Sequence, residues 1–150
     1  LIAFLDLTAL AALYAGGPGA KEVKAALMDE ESLAMAMISK VHMAALLDDL
    51  LEEGAPHASI QEIGCRFLSD EPQFIKVSTD GVVMEAMVMA VRHHLEGDQA
   101  VQLAAALTLE RQILRQAPSL PQPVSFVTLD PLLAAAAEAE GLRVVPRQGV

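Results

Sequence analysis

The chain has 150 residues, with ten Lys and Arg against twenty Asp and Glu, a formal charge of −10. That balance excludes a protein that clings to nucleic acid by bulk positive charge, and with four Phe, one Tyr and no Trp it lacks the makings of a base-stacking platform. Hydrophobic residues make up 53% of the chain, which suits one domain, 1–150, with a real core.

Taken in chain order, Leu1-Ile2-Ala3-Phe4-Leu5-Asp6 reads as a first strand over 1–6, followed by a helix over 8–14. Gly16-Gly17-Pro18-Gly19 separates it from a helix over 19–29. This glycine cluster is not a phosphate loop, since no Gly-Lys-Ser/Thr follows. A strand at 33–38 leads into a helix at 40–53, which Gly54-Ala55-Pro56 ends. A helix at 58–68, a strand at 74–77 and helices at 79–94 and 99–116 come next, the last two broken apart by Glu96-Gly97-Asp98. The proline-rich loop at 118–123 is stiff and runs into a strand at 124–129. A helix at 130–140 with Gly141 as its cap and a strand at 142–146 close the pattern, leaving a surface tail at 146–150. Apolar runs that alternate with helical periodicity predict an α/β fold with a parallel sheet and crossover helices.

No uninterrupted apolar run reaches the roughly 18 residues a membrane span needs. The first residues show neither a basic start nor a small-residue cleavage site, so no signal peptide and a cytoplasmic location are expected. Cys65, the single cysteine, has no partner for a disulfide or a structural zinc site and is expected to be a small buried hydrophobe. Met84, Met87 and Met89 follow no redox or metal pattern and are expected in the core or at a subunit interface.

Three aspartates stand where strands end or helices begin: Asp6, Asp98 and Asp130. A parallel sheet gathers such positions at one edge, and carboxylates that converge there usually need a divalent cation to coexist. Each also has a plainer role. Asp130 before Pro131 makes a favoured helix start, Asp98 complements a helix dipole, and Thr8 suits a cap. Asp6 is harder to explain so, because an unpaired carboxylate at the end of a buried strand is costly. Asp48, Asp49, Glu52 and Glu53 crowd the C-terminal half of their helix against its dipole; they form either a solvated face or a docking surface for a basic partner.

The segments 2–10, 96–106 and 126–136, continuing to 145, resemble in order and spacing the PIN-domain family, in particular its VapC-like toxin branch. That family begins with a strand ending in Asp and then a hydroxyl residue. It later carries an Asp opening a "DA-x-x-LA-x-A" helix and closes with "T-x-D-x-x-L-x-x-A", a glycine and a final strand. The resemblance implies a three-layer α/β/α domain with a five-stranded parallel sheet. It implies a Mg²⁺- or Mn²⁺-dependent endoribonuclease site at which Asp6 and Asp98 ligate metal, Asp130 serves a second metal or the attacking water, and Thr8 and Thr128 orient the acids. It further implies RNA as substrate, a homodimer, and an antitoxin protein that blocks the site. The chain departs from the family where a glutamate is usual: in Ser39-Lys40-Val41-His42-Met43-Ala44-Ala45-Leu46, Ala45 takes its place. His42, one turn earlier on the same face, is the neighbour placed to compensate, most suitably with Mn²⁺. Three readings follow: a metal-dependent ribonuclease, a degenerate PIN domain that binds a partner protein or RNA without cutting it, and a non-nuclease α/β binding domain whose aspartates are only helix caps.

Overall fold

The structure is a computed structural model that describes residues 1–147; residues 148–150 of the expected surface tail lie outside the described residues. The elements are β1 (Ile2–Leu5), α1 (Leu7–Ala15), α2 (Ala20–Leu27), β2 (Ser32–Ala36), α3 (Ser39–Glu52), α4 (His57–Asp70), a 3₁₀ turn (Glu71–Gln73), β3 (Ile75–Val77), α5 (Val83–His93), α6 (Gly97–Gln116), β4 (Val124–Val127), α7 (Pro131–Ala139) and β5 (Arg143–Val145). The five strands form one sheet in the order β3-β2-β1-β4-β5, and every neighbouring pair is parallel. This is the expected α/β architecture, a PIN-like α/β/α sandwich.

Side chains alternate across a strand, so each strand feeds two cores. Phe4, Ala34, Ala36, Phe126 and Val144 face α5, α6 and α7. Ala3, Leu5, Met35 and Val127 face α1, α3 and α4. Phe4 and Phe126 are register partners, and their rings stack at 5.9 Å between centroids. The fully buried run Ala104-Ala105-Ala106 of α6 carries almost no side chain, which lets this 20-residue helix lie close against the sheet.

The chain runs outward from β1 to β2 and β3, then returns to the other side of β1 for β4 and β5. The direction of winding therefore reverses between β1 and β4. In open parallel sheets this reversal leaves a crevice at the carboxyl ends of the two strands. Asp6 follows β1 and Thr128 to Asp130 follow β4, so both meet at that crevice.

Some boundaries differ from the sequence expectation. β2 ends at Ala36, and not at 38, because Met37 donates its N–H to the Val77 carbonyl at 2.8 Å and turns the chain into α3. α5 begins at Val83, and not at 79, because Thr79 to Val82 close a turn with a 3.1 Å bond between the Val82 N–H and the Thr79 carbonyl. Cys65 is exposed, and not buried. It lies two positions before the inward Phe67, roughly 200° around α4. Among the described residues no helix is long and apolar enough to cross a membrane.

Candidate functional site

Asp6 is the residue between β1 and α1, and it is 1% exposed. It caps α1: its backbone is extended, and its Oδ1 accepts the Ala9 N–H at 2.9 Å. The Thr8 hydroxyl donates to the same oxygen at 2.7 Å, and the Thr128 hydroxyl donates to Oδ2 at 2.6 Å. Both hydroxyls also accept. Thr8 Oγ1 takes the Leu129 N–H at 2.8 Å, and Thr128 Oγ1 takes the Asp130 N–H at 3.0 Å. The two threonines thus clasp the β4–α7 connection to the end of β1 through one carboxylate. Burial pushes the Asp6 carboxyl above its ordinary range; the bonds from Thr128, Thr8 and Ala9 pull it back, and the nearby Asp130 charge pushes it up further.

Asp130 is the N-cap of α7, followed by Pro131, as its sequence position suggested. Its Oδ1 accepts the N–H groups of Leu132 at 3.0 Å and Leu133 at 3.3 Å. Its Oδ2 accepts from Gln99 Nε2 at 2.6 Å. Capping and facing the crevice are therefore not alternatives for this residue.

Asp98 lies in the first turn of α6 and is exposed. Its Oδ1 accepts the N–H of the adjoining Gln99 at 3.0 Å. The residue that reaches Asp130 is Gln99. Gln99 Oε1 accepts the Glu96 N–H at 2.9 Å, while the Glu96 side chain returns a bond to the Gln99 backbone, a reciprocal capping box at the start of α6. Three residues on, Gln102 is 2% exposed. Its Nε2 donates to Ser39 Oγ at 3.0 Å, and its buried Oε1 has no hydrogen-bond partner among the described residues.

Asp6, Leu7, Thr8, Glu96, Asp98, Gln99, Gln102, Asp130 and Leu133 line one cavity of about 240 Å³. The structure thus brings the three expected aspartates to one crevice, Asp6 at its floor and Asp98 at its rim. It does not bring His42 there. His42 and Ala45 border a different hollow of about 230 Å³ with Leu7, Ala11 and Asp49, and the buried His42 Nδ1 has no hydrogen-bond partner among the described residues. A larger cavity of about 500 Å³ beside Tyr14, Arg66 and Asp70 is lined by none of these acids.

The sequence pattern gives Glu96, Gln99, Gln102 and Ser39 no role at this site. One signal locates Gln99. When the "DA-x-x-LA-x-A" pattern is matched through Ala100, Leu103, Ala104 and Ala106, its acid falls on position 99, which is a glutamine. The chain therefore departs from the pattern twice: at Gln99 in the crevice and at Ala45, which borders the neighbouring hollow.

A divalent cation of the Mg²⁺ or Mn²⁺ kind needs several oxygen donors around one point. The crevice offers oxygen atoms, but among the described residues no three of His, Cys, Asp and Glu are grouped to hold an ion. Ala45 offers no ligand, Asp6 Oδ1 already accepts two bonds, and an amide nitrogen faces Asp130. The residues present do not fit a resident metal.

No family model matches the chain, and no curated protein matches it either. Solved structures do. The chain is similar to PAE2754 from Pyrobaculum aerophilum, with TM-score 0.56 and 19% identity over 97% of this chain and 84% of that one. It is similar to a toxin–antitoxin complex from Klebsiella pneumoniae, with TM-score 0.55 and 17% identity over 85% and 86%. It is also similar to FitAcB from Neisseria gonorrhoeae, with TM-score 0.59 and 13% identity over 95% of each chain. At these identities the likeness is one of fold.

Proposed function

We propose that this chain is a PIN-like domain of the toxin–antitoxin kind that has kept the fold and the acidic crevice and uses them to bind a partner protein, without cleaving RNA. The observation that carries this reading is the donor set. The position of the usual glutamate is Ala45, and no three ligating side chains are grouped among the described residues. A crevice with Asp6, Glu96, Asp98 and Asp130 on its walls, in a chain of net charge −10, favours a basic segment. An antitoxin in a cytoplasmic pair is such a partner.

The competing reading is a Mg²⁺- or Mn²⁺-dependent endoribonuclease. It has one observation in its favour: Asp6, Asp98 and Asp130 line a single cavity at the reversal point of the sheet. The experiment incubates RNA with the natural chain, Asp6→Asn, Asp98→Asn and Ala45→Glu, with each cation, and titrates the natural chain with an arginine-rich peptide. The expected result is no cation-dependent cleavage by the natural chain and salt-sensitive binding of the peptide that Asp98→Asn weakens. Cleavage that disappears in Asp6→Asn overturns the proposal in favour of the nuclease.

The homodimer implied by the family resemblance has a natural seat on α5. Val83, Met84, Met87, Val88 and Val91 are 48–78% exposed, a patch on the order of 500 Å², in the upper part of the range for the largest apolar patch on a monomer. The one acid of α5, Glu85, is paired away from this face, and Arg92 alone of the helix's charged residues borders it. Glu85 pairs with Arg111 of α6, and Arg92 and His93 both meet Glu140 at 2.7 Å. What remains is a face without an acid on an acidic molecule. A second copy is repelled wherever two acidic surfaces meet, so a self-complementary face free of acids is where two copies approach at least cost. Met87 borders two hollows, one with Met84, Val88, Val91 and Arg92 and one with Ala90, Ala100 and Val101, which gives the face both ridge and groove. The expected Met cluster is accordingly divided: Met89 lies in the core, while Met84 and Met87 lie on this face.

A further inference from the structure

Carboxylates gathered at one edge of a sheet need protons, hydrogen-bond donors or a cation to remain together. The crevice supplies donors through one continuous chain. Thr128 donates to Asp6 and accepts from the Asp130 backbone; Asp130 accepts from the Gln99 amide, and that amide accepts from the Glu96 backbone. Gln99 is the only side chain of α6 in this chain of bonds, and both its polar ends are used. Its orientation is fixed by that use. With Oε1 turned to the Glu96 N–H, the NH₂ group must face Asp130; the flipped amide would set donor against donor at one end and acceptor against acceptor at the other.

The capping box alone does not explain a glutamine. Glutamate serves at that position equally well. It would, however, place a second carboxylate where the amide now stands, 2.6 Å from Asp130 Oδ2. The choice of amide over acid answers to Asp130 and not to the helix start.

We propose that Gln99 is a built-in replacement for a divalent cation. Its amide, strung between the N-terminal ends of α6 and α7, supplies the positive partner that an ion would otherwise offer Asp130, so the crevice is held together metal-free. This rests on the reading that the natural chain has no resident metal, and it names the residue responsible.

The test is thermal unfolding of the natural chain, Gln99→Glu and Gln99→Ala at neutral pH, with and without Mn²⁺ at matched ionic strength. Gln99→Glu keeps the capping reach but adds the carboxylate. It should lose roughly 5 °C in Tm and recover with Mn²⁺. Gln99→Ala should lose a similar amount and not recover, and the natural chain should not respond. A Mn²⁺ response of the natural chain as large as that of Gln99→Glu overturns the proposal, as does a Gln99→Glu variant indifferent to the ion. Should the variants fail to fold, paramagnetic broadening of the Leu132 and Leu133 amides by Mn²⁺ in the natural chain decides: none supports the replacement, and broadening overturns it. The two proposals fail separately. RNA cleavage without Mn²⁺ binding sinks the functional reading alone, and Mn²⁺ binding without cleavage sinks the role of Gln99 alone.

Discussion

Replacing Thr128 by valine keeps the shape of a β-branched side chain and removes its hydroxyl. The structure indicates what that hydroxyl holds. It donates to the buried Asp6 Oδ2 at 2.6 Å and accepts the Asp130 N–H at 3.0 Å, and Thr128 itself is fully buried. A hydrogen bond to a charged group contributes about 1.5–3 kcal/mol, and a buried donor left without a partner costs about 1–3 kcal/mol. Water that enters the crevice offsets part of this, so a net loss of about 3 kcal/mol is expected at neutral pH. For a chain of this length that corresponds to a fall in Tm of roughly 6–12 °C. The assay is urea and thermal unfolding of Thr128→Val beside Thr128→Ser, which keeps the hydroxyl and should lose far less. The loss should also shrink on acidification, because a protonated Asp6 no longer demands that donor. A valine variant within about 1 kcal/mol of the natural chain, or one no worse than serine, refutes the clasp.

Asp6 has a raised carboxyl value in the folded state, so the folded chain binds its proton more tightly than the unfolded chain. The associated stability is fully present below the unfolded value of 3.8 and is lost as pH rises through the folded value. The stability of the natural chain relative to Asp6→Asn should therefore fall as pH rises across that window, which paired urea titrations measure; a flat difference curve contradicts the burial argument. Gly19 precedes α2 with φ +86°, and a Cβ there would stand 2.7 Å from Leu129 Cδ1. Gly19→Ala should cost about 1–2 kcal/mol through backbone strain, with Leu129→Ala relieving only the steric share, as a double-mutant cycle would show. On α5, Val91→Glu should convert a dimer to a monomer in sedimentation experiments without lowering Tm by more than a few degrees, since Val91 is 78% exposed. An unchanged sedimentation coefficient counts against this face.

The sheet was legible because its signals are strong and repeated. Five apolar runs, the first four each followed by helical periodicity, with glycine or proline at several of the breaks, leave few arrangements other than a parallel sheet. Element ends were less legible where a single backbone bond decides them, as between Met37 and Val77. Cys65 was misread because a side chain's face on a helix depends on its phase relative to Phe67, not on its chemistry. Asp6 was legible from burial alone, since a carboxylate closing the run Leu1 to Leu5 has to be partnered, and its partners are the two threonines the motif pointed to. Gln102 was invisible: one amide among apolar neighbours carries no pattern, and only the packing of α6 against α3 places it beside Ser39.

The opening of α6 shows why a motif can locate an acid to a turn and still mistake the atom that matters. Successive helix residues point about 100° apart, so Asp98 and Gln99 face different ways although they are neighbours. Glu96-Gly97-Asp98 draws the eye to the aspartate because it is charged. The indexing that decides comes from residues without charge, the buried Ala100, Leu103, Ala104 and Ala106, which fix the rotation of α6 on the sheet. Once that rotation is set, position 99 faces Asp130 and position 98 stands at the exposed rim of the crevice. One residue of register thus separates a crevice with an acid aimed at Asp130 from one with an amide there. That difference decides whether the carboxylates at this edge need an ion, and it makes the Mn²⁺ response of Gln99→Glu the measurement on which the metal-free reading turns.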